Sequence, residues 1–397
     1  MKRLDIAVAG CGPCGLASAL LLARAGHRVT LFERFQTPQP IGSGLLIQPT
    51  GAAVLDRLGL GDGLRGQGTV VSRLLGITAG GRTVLDVAYA ALAGARTAIG
   101  VHRASLFALL FDAVGREAIA LETGYDIVGS EATGAGRRLL FTGGRASARF
   151  DLVVDALGSS TPLAPRRGRE LDFGALWATL DRLLASSFDP RTLEQRYRAA
   201  RQMAGVLPIG RGIGGSGDQI AFFWSIRGDA LARWRAEGLA AWKHDVLRLW
   251  PATEALLEQI VSREQLTFAR YAHRTVRHPA EPQLIRLGDA WHSASPQLGQ
   301  GANMALLDAY ALASAIESAR DVPEALMRAV ASRRGHVRLY QMLTALLTPV
   351  YQSDSVAVPW VRDRILGPLS HIGWVNRLQA ALVAGLVGAP LARLGLG

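Results

Sequence analysis

The chain has 397 residues, 49% of them apolar, enough for two packed domains and an appendage. No apolar run approaches the roughly 18 residues of a spanning helix, and nothing after Met1-Lys2-Arg3 reads as a signal peptide. The net charge of +12 comes from scattered arginines, with lysine only at Lys2 and Lys243; without a basic stripe or reading motif this argues against nucleic acid and leaves compositional bias, or an anionic surface or acidic partner.

In chain order, Leu4–Ala9 reads as a buried strand, followed by Gly10-Cys11-Gly12-Pro13-Cys14-Gly15. A helix over Leu16–Ala25, the turn Gly26-His27 and a strand Arg28–Phe32 come next, ending at Glu33. G-x-G-x-x-G between a strand and a helix permits a tight turn and close approach to a pyrophosphate. Glu33, 18 residues past Gly15, can hydrogen-bond an adenosine ribose and would repel a 2′-phosphate, so FAD or NAD is expected. Cys11 and Cys14 form a C-x-x-C, but both fill small-residue positions of the loop, and no redox role is expected of them. Two cysteines make no disulfide framework, which suggests a reducing cytoplasm.

A Gly-rich apolar segment spans residues 41–48, and Thr50–Leu58 reads as a helix. Val70–Ile77 and Thr83–Val87 read as a hairpin, a first excursion into a second domain. His102-Arg103 opens a helix to about Val114. Strands at Ala118–Thr123 and Ile127–Ala132 follow, then a hairpin of Arg138–Phe141 with Ala146–Phe150. Asp151–Ser160 is a strand ending in a turn and carries Asp155.

The second excursion holds Val206–Ile209 and Gln219–Ile226, antiparallel about a Gly-rich turn. Ile220, Phe222 and Trp224 share one strand face, with Ala221, Phe223 and Ser225 opposite. The Phe222–Trp224 face either floors a cavity for an aromatic ligand or packs on a helix. Phe222 and Trp224 are the candidate substrate contacts, with helices near Asp229–Glu237 and Trp242–Trp250 expected on the other side.

Gln283–Leu287 reads as a strand closed by Gly288-Asp289. A small-residue loop with Pro296 leads to Gly299-Gln300-Gly301, which opens a helix through Ala302 and Asn303 to about Ile316. Its unpaired N–H groups and positive dipole end suit an electron-rich planar ligand. Helices over Pro323–Thr348, Pro359–Leu366 and Trp374–Leu394 follow. Leu378–Leu386 is apolar nearly all round, fit to pack on the body or to meet a membrane interface or a partner.

The string GDAWHSASPQLGQGANMALLD, Gly288–Asp308, resembles the second flavin motif of the class A FAD-dependent monooxygenases, which include the p-hydroxybenzoate, kynurenine and ubiquinone-pathway hydroxylases. The resemblance implies an α/β fold. A Rossmann-like FAD-binding domain (residues 1–70, 98–170 and 271–330) would carry an inserted mixed β-sheet substrate domain (71–97 and 171–270) and C-terminal helices (331–397). It implies FAD, with NAD(P)H as reductant and O2 as oxidant. Oxygen would pass through a flavin hydroperoxide to an aromatic, phenolic or quinol-like substrate.

By the same resemblance Asp289, after Gly288, would bind the ribityl chain. Pro296, Gly299, Gln300, Gly301, Ala302 and Asn303 would meet the isoalloxazine, with Pro296 also touching substrate. Arg103 would reach the pyrophosphate, and no metal is expected. The third family motif, GADG, falls on Asp155-Ala156-Leu157-Gly158. Leucine thus replaces its acid, and Asp155, two residues earlier on an extended strand, is the candidate to compensate. His292 reads equally as a hydrogen-bonding group near flavin or substrate and as a structural loop histidine. Alternatives are a FAD-dependent oxidase or dehydrogenase of the same fold, and a non-catalytic flavoprotein that binds a membrane or partner.

Overall fold

The computed structural model describes residues 2–39, 42–94, 96–165, 168–183, 187–212, 217–355, 357–366 and 372–397. Helices that build and flank the cleft run, in chain order, as α1 (Pro13–Arg24), α2 (Pro49–Arg57), α3 (Arg103–Gly115), α4 (Leu231–Leu249), α5 (Gly301–Ser318), α6 (Val322–Tyr351), α7 (Gly373–Val383) and α8 (Pro390–Arg393).

A strand–helix–strand unit forces its two strands parallel, and Asp5–Ala9 pairs in parallel with Arg28–Glu33 on one side and Leu152–Asp155 on the other. Ala120–Thr123 and Leu284–Arg286 extend this sheet in parallel, and Ala280–Glu281 closes one edge antiparallel. Both faces of the central strands are covered, which explains their near-continuous apolar runs. Leu16 and Leu20 of α1 share one core with Leu306 and Leu312 of α5.

The second sheet has seven strands, in the order Thr267–Ala269, Phe173–Asp181, Asp218–Arg227, Gln202–Arg211, Thr192–Arg198, Arg73–Thr78 and Thr83–Ala88. It is mixed: Thr192–Arg198 and Arg73–Thr78 run parallel and the other neighbours antiparallel. A three-stranded sheet, Gly44–Ile47, Ala98–His102 and Thr69–Val71, joins the two layers. The architecture is therefore the expected α/β one, with a mixed sheet inserted into a dinucleotide-binding fold.

Two local expectations differ and a third holds. Ile127–Thr133 forms the regular hairpin with Gly136–Phe141, and the expected pairing of Arg138–Phe141 with Ala146–Phe150 is reduced to isolated antiparallel contacts such as Leu140 with Ala146. Gly134, at φ 62, supplies a closer turn, and residues 146–150 keep only isolated bridges. The two helices expected after Asp229 are present end to end within Leu231–Leu249 (α4), separated at Gly238, whose φ 88 and ψ 170 break the helix. The last helix ends at Val383, because Gly385 and Gly388 take φ 80 and 84 before α8 begins.

The tail packs on the body. Ala380, Val383 and Ala384 are buried with Leu207, Ile209 and Ala221 of the large sheet. The carbonyls that end α7 have no intrahelical donors, and side chains from elsewhere supply them. Tyr340 Oη donates to Leu382 O at 2.8 Å, Gln300 Nε2 to Val383 O at 2.5 Å and His336 Nε2 to Gly385 O at 3.1 Å. Among the described residues no helix is long and apolar enough to cross a membrane.

Candidate active site

The phosphate loop is fixed by its own backbone. Gly10 takes φ 103, and a Cβ there would lie 2.7 Å from Ala156 O; one on Gly15 would lie 1.8 Å from Gly10 O. Gly12 meets nothing within 4 Å. It is the N-cap of α1, and no side chain caps that end. The helix thus presents free N–H groups and its positive dipole end to open space, with Pro13 where a missing N–H costs nothing. Glu33 stands beside the loop, accepting from Cys11 N at 3.0 Å and from Phe35 N at 3.1 Å. This donor set and cradle fit the pyrophosphate and ribose of a dinucleotide.

Cys14 serves the loop by its backbone. Its side chain turns inward, with Sγ 3.6 Å from Ala305 O. Burial and then the nearby Asp308 push its thiol well up, and burial with Glu33 pushes Cys11 up to about 12. Both cysteines are free thiols held protonated, without thiolate reactivity.

The second wall of the cleft starts at Gly288, whose φ of 55 favours glycine. Asp289 follows, its Oδ1 4.0 Å from a Cβ position on Gly301 at the start of α5. Gln300 gives that end no side-chain cap. Asp289 and Arg103 face solvent although protein surrounds them on most sides, as residues lining a deep cleft do. Burial raises the Asp289 carboxyl, opposed by His292 and Arg103, and lowers the Arg103 guanidinium, opposed by Asp289 and Tyr271. The Arg103 side chain lies over Gly42, 3.1 Å from where a Cβ would sit. Gly299, at φ 60, turns the loop into α5, leaving Pro296 exposed and Ala302 half-buried on the same wall.

Several candidates hold the loop instead of facing the cleft. Asn303 is fully buried: its Nδ2 donates to Leu46 O and Gly299 O at 3.1 and 2.9 Å, and its Oδ1 accepts from Gln48 N at 2.8 Å. The Gln300 side chain reaches into the tail. His292 is buried too, its Nε2 2.5 Å from Asp308 Oδ2, so of its two readings the structural one describes its position.

Asp308 and Arg333 are the residues that sequence reasoning passed over. Asp308 Oδ2 also accepts from Gly288 N at 3.0 Å, and Arg333 Nε donates to Oδ1 at 2.7 Å. Arg333 continues to His336 Nδ1 at 3.0 Å. The backbone under Asp289 is thereby tied to α6. Burial alone would raise Asp308, but His292 and Arg333 outweigh it and bring the carboxyl to about 2. The signal was there: an acid amid the apolar face of a helix needs a buried partner.

Asp155 does not compensate for Leu157. Its carboxylate accepts from Leu157 N at 3.1 Å and Thr161 Oγ1 at 2.8 Å, which ties it into its own turn. Burial pushes it up to about 6, against those bonds and the nearby Arg286 and Arg274.

The substrate expectation needs a correction. Phe222 and Trp224 are buried under α4, packed with Leu231, Trp234 and Trp242. The opposite face looks toward the dinucleotide layer. Ala221 lies against Gly44, and Thr179 Oγ1 meets Ser43 Oγ at 2.9 Å and His102 Nε2 at 3.1 Å. On this face Trp177 stacks near Phe223, ring centroids 4.7 Å apart, and donates from Nε1 to Tyr271 Oη at 3.1 Å. The turn Pro251–Thr253 and the helices flanking it seal the Phe222 side, so α4 and its followers decide which face remains for a ligand.

Comparison with known proteins agrees with this geometry. Residues 3–338 match the sequence family described as FAD binding domain. The chain is 28% identical over 339 residues to 6-methylpretetramide 4-monooxygenase of Streptomyces rimosus, covering 83% of this chain and 80% of that protein. It is 29% identical over 356 residues to 3-amino-4-hydroxybenzoate 2-monooxygenase of Streptomyces cremeus, covering 84% of each. FAD-dependent urate hydroxylase of Klebsiella pneumoniae shares 25% over 351 residues, 83% of this chain and 86% of that one. An HpxO variant from Klebsiella pneumoniae, solved with FAD, has the same fold, with a TM-score of 0.83 at 20% identity over 96% of this chain and 99% of that one. The chain belongs to the FAD-binding domain family of class A aromatic hydroxylases and is a FAD-dependent monooxygenase.

Proposed function

We propose that the cleft takes an uncharged aromatic or phenolic substrate and hydroxylates it. The observation that carries this is the sheet face turned to the cleft. Its described residues across the centre, among them Trp177, Thr179, Leu193, Gln195, Leu207 and Phe223, include no charged side chain. Of the sheet's arginines, Arg73 and Arg196 go to the other face, where Arg73 pairs with Asp86 and Arg196 stacks on Trp250, while Arg227 ends the cleft-side row at the sheet's rim and is held by Asp229 and Asp354. A carboxylate placed against such a wall would lose its water without gaining a partner.

FAD, when bound, supplies the redox chemistry that NAD(P)H and O2 feed. Gly10, Gly12, Gly15 and Glu33 would hold its ADP half, with Arg103 and Asp289 along the middle. Gly299, Gly301 and Ala302 would give the ring a flat backbone bed at the α5 N-terminus, where developing negative charge is favoured. Tyr271 Oη accepts from Trp177, so its own proton remains to donate, and no described residue accepts it. Burial, opposed by the Trp177 bond and Arg103, raises the phenol to about 12, so it stays protonated at neutral pH. Tyr271 is the group that orients a substrate hydroxyl or carbonyl. The aromatic wall excludes water from the reacting centre.

Residues 71–97 and 171–270 act as the substrate domain, a reading supported by the seven-stranded sheet being drawn from 73–88 and 173–269. The exposed Trp374 and Leu378 support a peripheral contact of the tail with a membrane or partner. The substrate reading is tested by titrating the FAD-loaded protein with a naphthol and the matching naphthoate while following flavin absorbance. The naphthol should bind at least about tenfold more tightly, one unpaired buried charge being worth more than 1.4 kcal/mol. Equal affinities would remove the argument for an uncharged ligand.

A further inference from the structure

Around the start of α6 the arginines are paired: Arg320 and Arg328 both grip Glu324. Farther along, Arg334 and Arg338 share one helix face, one turn apart, and have neither an ion pair nor a side-chain hydrogen bond among the described residues. Arg393 of α8 joins them. Its Nη1 lies 3.7 Å from the Cβ position of Gly335, so its guanidinium rests on bare backbone beside them, and all three line one groove. It too has no acidic partner among the described residues. With His278 these side chains line a groove of about 570 Å³, whose floor includes Leu326, Val330 and Ala331. Met327 at its edge is 66% exposed.

Two separate elements thus bring three like charges together with no counter-charge. Folding alone gains nothing from that arrangement, and an anion seated among them would relieve it. Guanidinium groups match phosphate oxygens in paired hydrogen bonds, and the apolar floor offers surface to an organic body. The volume lies in the small-molecule range. The groove is separate from the cleft: it occupies the outer side of α6, whose inner side carries Arg333 and His336 toward Asp308.

We propose that this groove binds a soluble organic phosphate, with the phosphate or pyrophosphate on Arg334, Arg338 and Arg393 and the apolar portion along Leu326–Ala331. The test is calorimetric titration of the FAD-loaded protein with inorganic pyrophosphate at moderate salt, and separately with phosphatidylglycerol vesicles. Pyrophosphate should bind with a Kd at or below about 100 μM and weaken as salt rises. The Arg334→Glu/Arg338→Glu double variant should weaken it by at least about tenfold. Arg393→Ala, a milder change, should weaken it by at least about threefold. FAD content and turnover should be retained in both. No saturable binding below about 10 mM, or affinity unchanged in both variants, overturns the proposal. Vesicle binding lost in the double variant, with no pyrophosphate binding, also overturns it, since the groove would then read a lipid surface.

Discussion

Asp308 holds a backbone amide, a histidine and an arginine at once, and the loop bearing Asp289 depends on it. Removing one partner of a buried charge set leaves the others uncompensated. Asp308→Ala should therefore lower stability by about 3–5 kcal/mol, read as a fall in Tm, with weakened FAD retention. The same cluster sets a pH dependence. Burial and then Arg333 lower His336 to about 3, so the folded protein refuses a proton that the unfolded chain takes near histidine's ordinary 6.5. Stability should fall as pH drops from about 6.5 toward 3, because the unfolded state binds more protons there. Asp308, lowered to about 2, adds its own loss between the ordinary carboxylate range and that value. Tm measured against pH should flatten between pH 6.5 and 4 in His336→Gln, which keeps a neutral side chain; an unchanged profile would assign the effect elsewhere. At the ribose end, Glu33→Ala should weaken FAD by about 1–3 kcal/mol in a titration of the apoprotein, as loss of a charge-assisted hydrogen bond does. Gly10 and Gly15 were legible in the sequence because backbone sterics leave no other residue there. Gln300 and Asn303 were not: their partners lie on the tail and on residues 46–48, which no local pattern connects to them.

Among the elements, Asp218–Arg227 separates what alternation can and cannot tell. Period two sorted its side chains into two faces correctly, but both faces are apolar and buried, so nothing in the strand marks the one facing the cleft. α4, broken at Gly238, decides this by covering Phe222 and Trp224. Two substitutions one residue apart should then behave oppositely. Trp224→Ala should cost about 3–5 kcal/mol of stability through a core cavity, with FAD binding and product per O2 kept. Phe223→Ala should keep FAD but open the cleft wall to water and divert O2 to peroxide. Parallel assays of Tm, FAD content and product per O2 would reveal a reversed pattern. The C-terminal helices belong to this scale too. Apolar all round, the tail sequence fitted burial or an interface alike, and the capping of its carbonyls by Tyr340, Gln300 and His336 shows how it joins the core.

For the whole molecule, one large sheet builds the dinucleotide fold and the other, by the proposal above, walls the substrate side. No separate NAD(P)H domain is present among the described residues. Leu157 stands where the family motif has an acid, and Asp155 is spent on its own turn. Anaerobic bleaching of the flavin by NADPH should consequently be slow without substrate; fast bleaching that Leu157→Asp leaves unchanged would show the leucine to be harmless. The most direct test of the account is turnover of an uncharged phenol under isotopically labelled O2 with NAD(P)H. One labelled oxygen atom should enter the product for each NAD(P)H consumed, while the corresponding carboxylate gives mainly peroxide. If label never enters an organic product across phenols, quinols and fused-ring candidates, with NAD(P)H still oxidised, the cleft is that of an oxidase and the account fails.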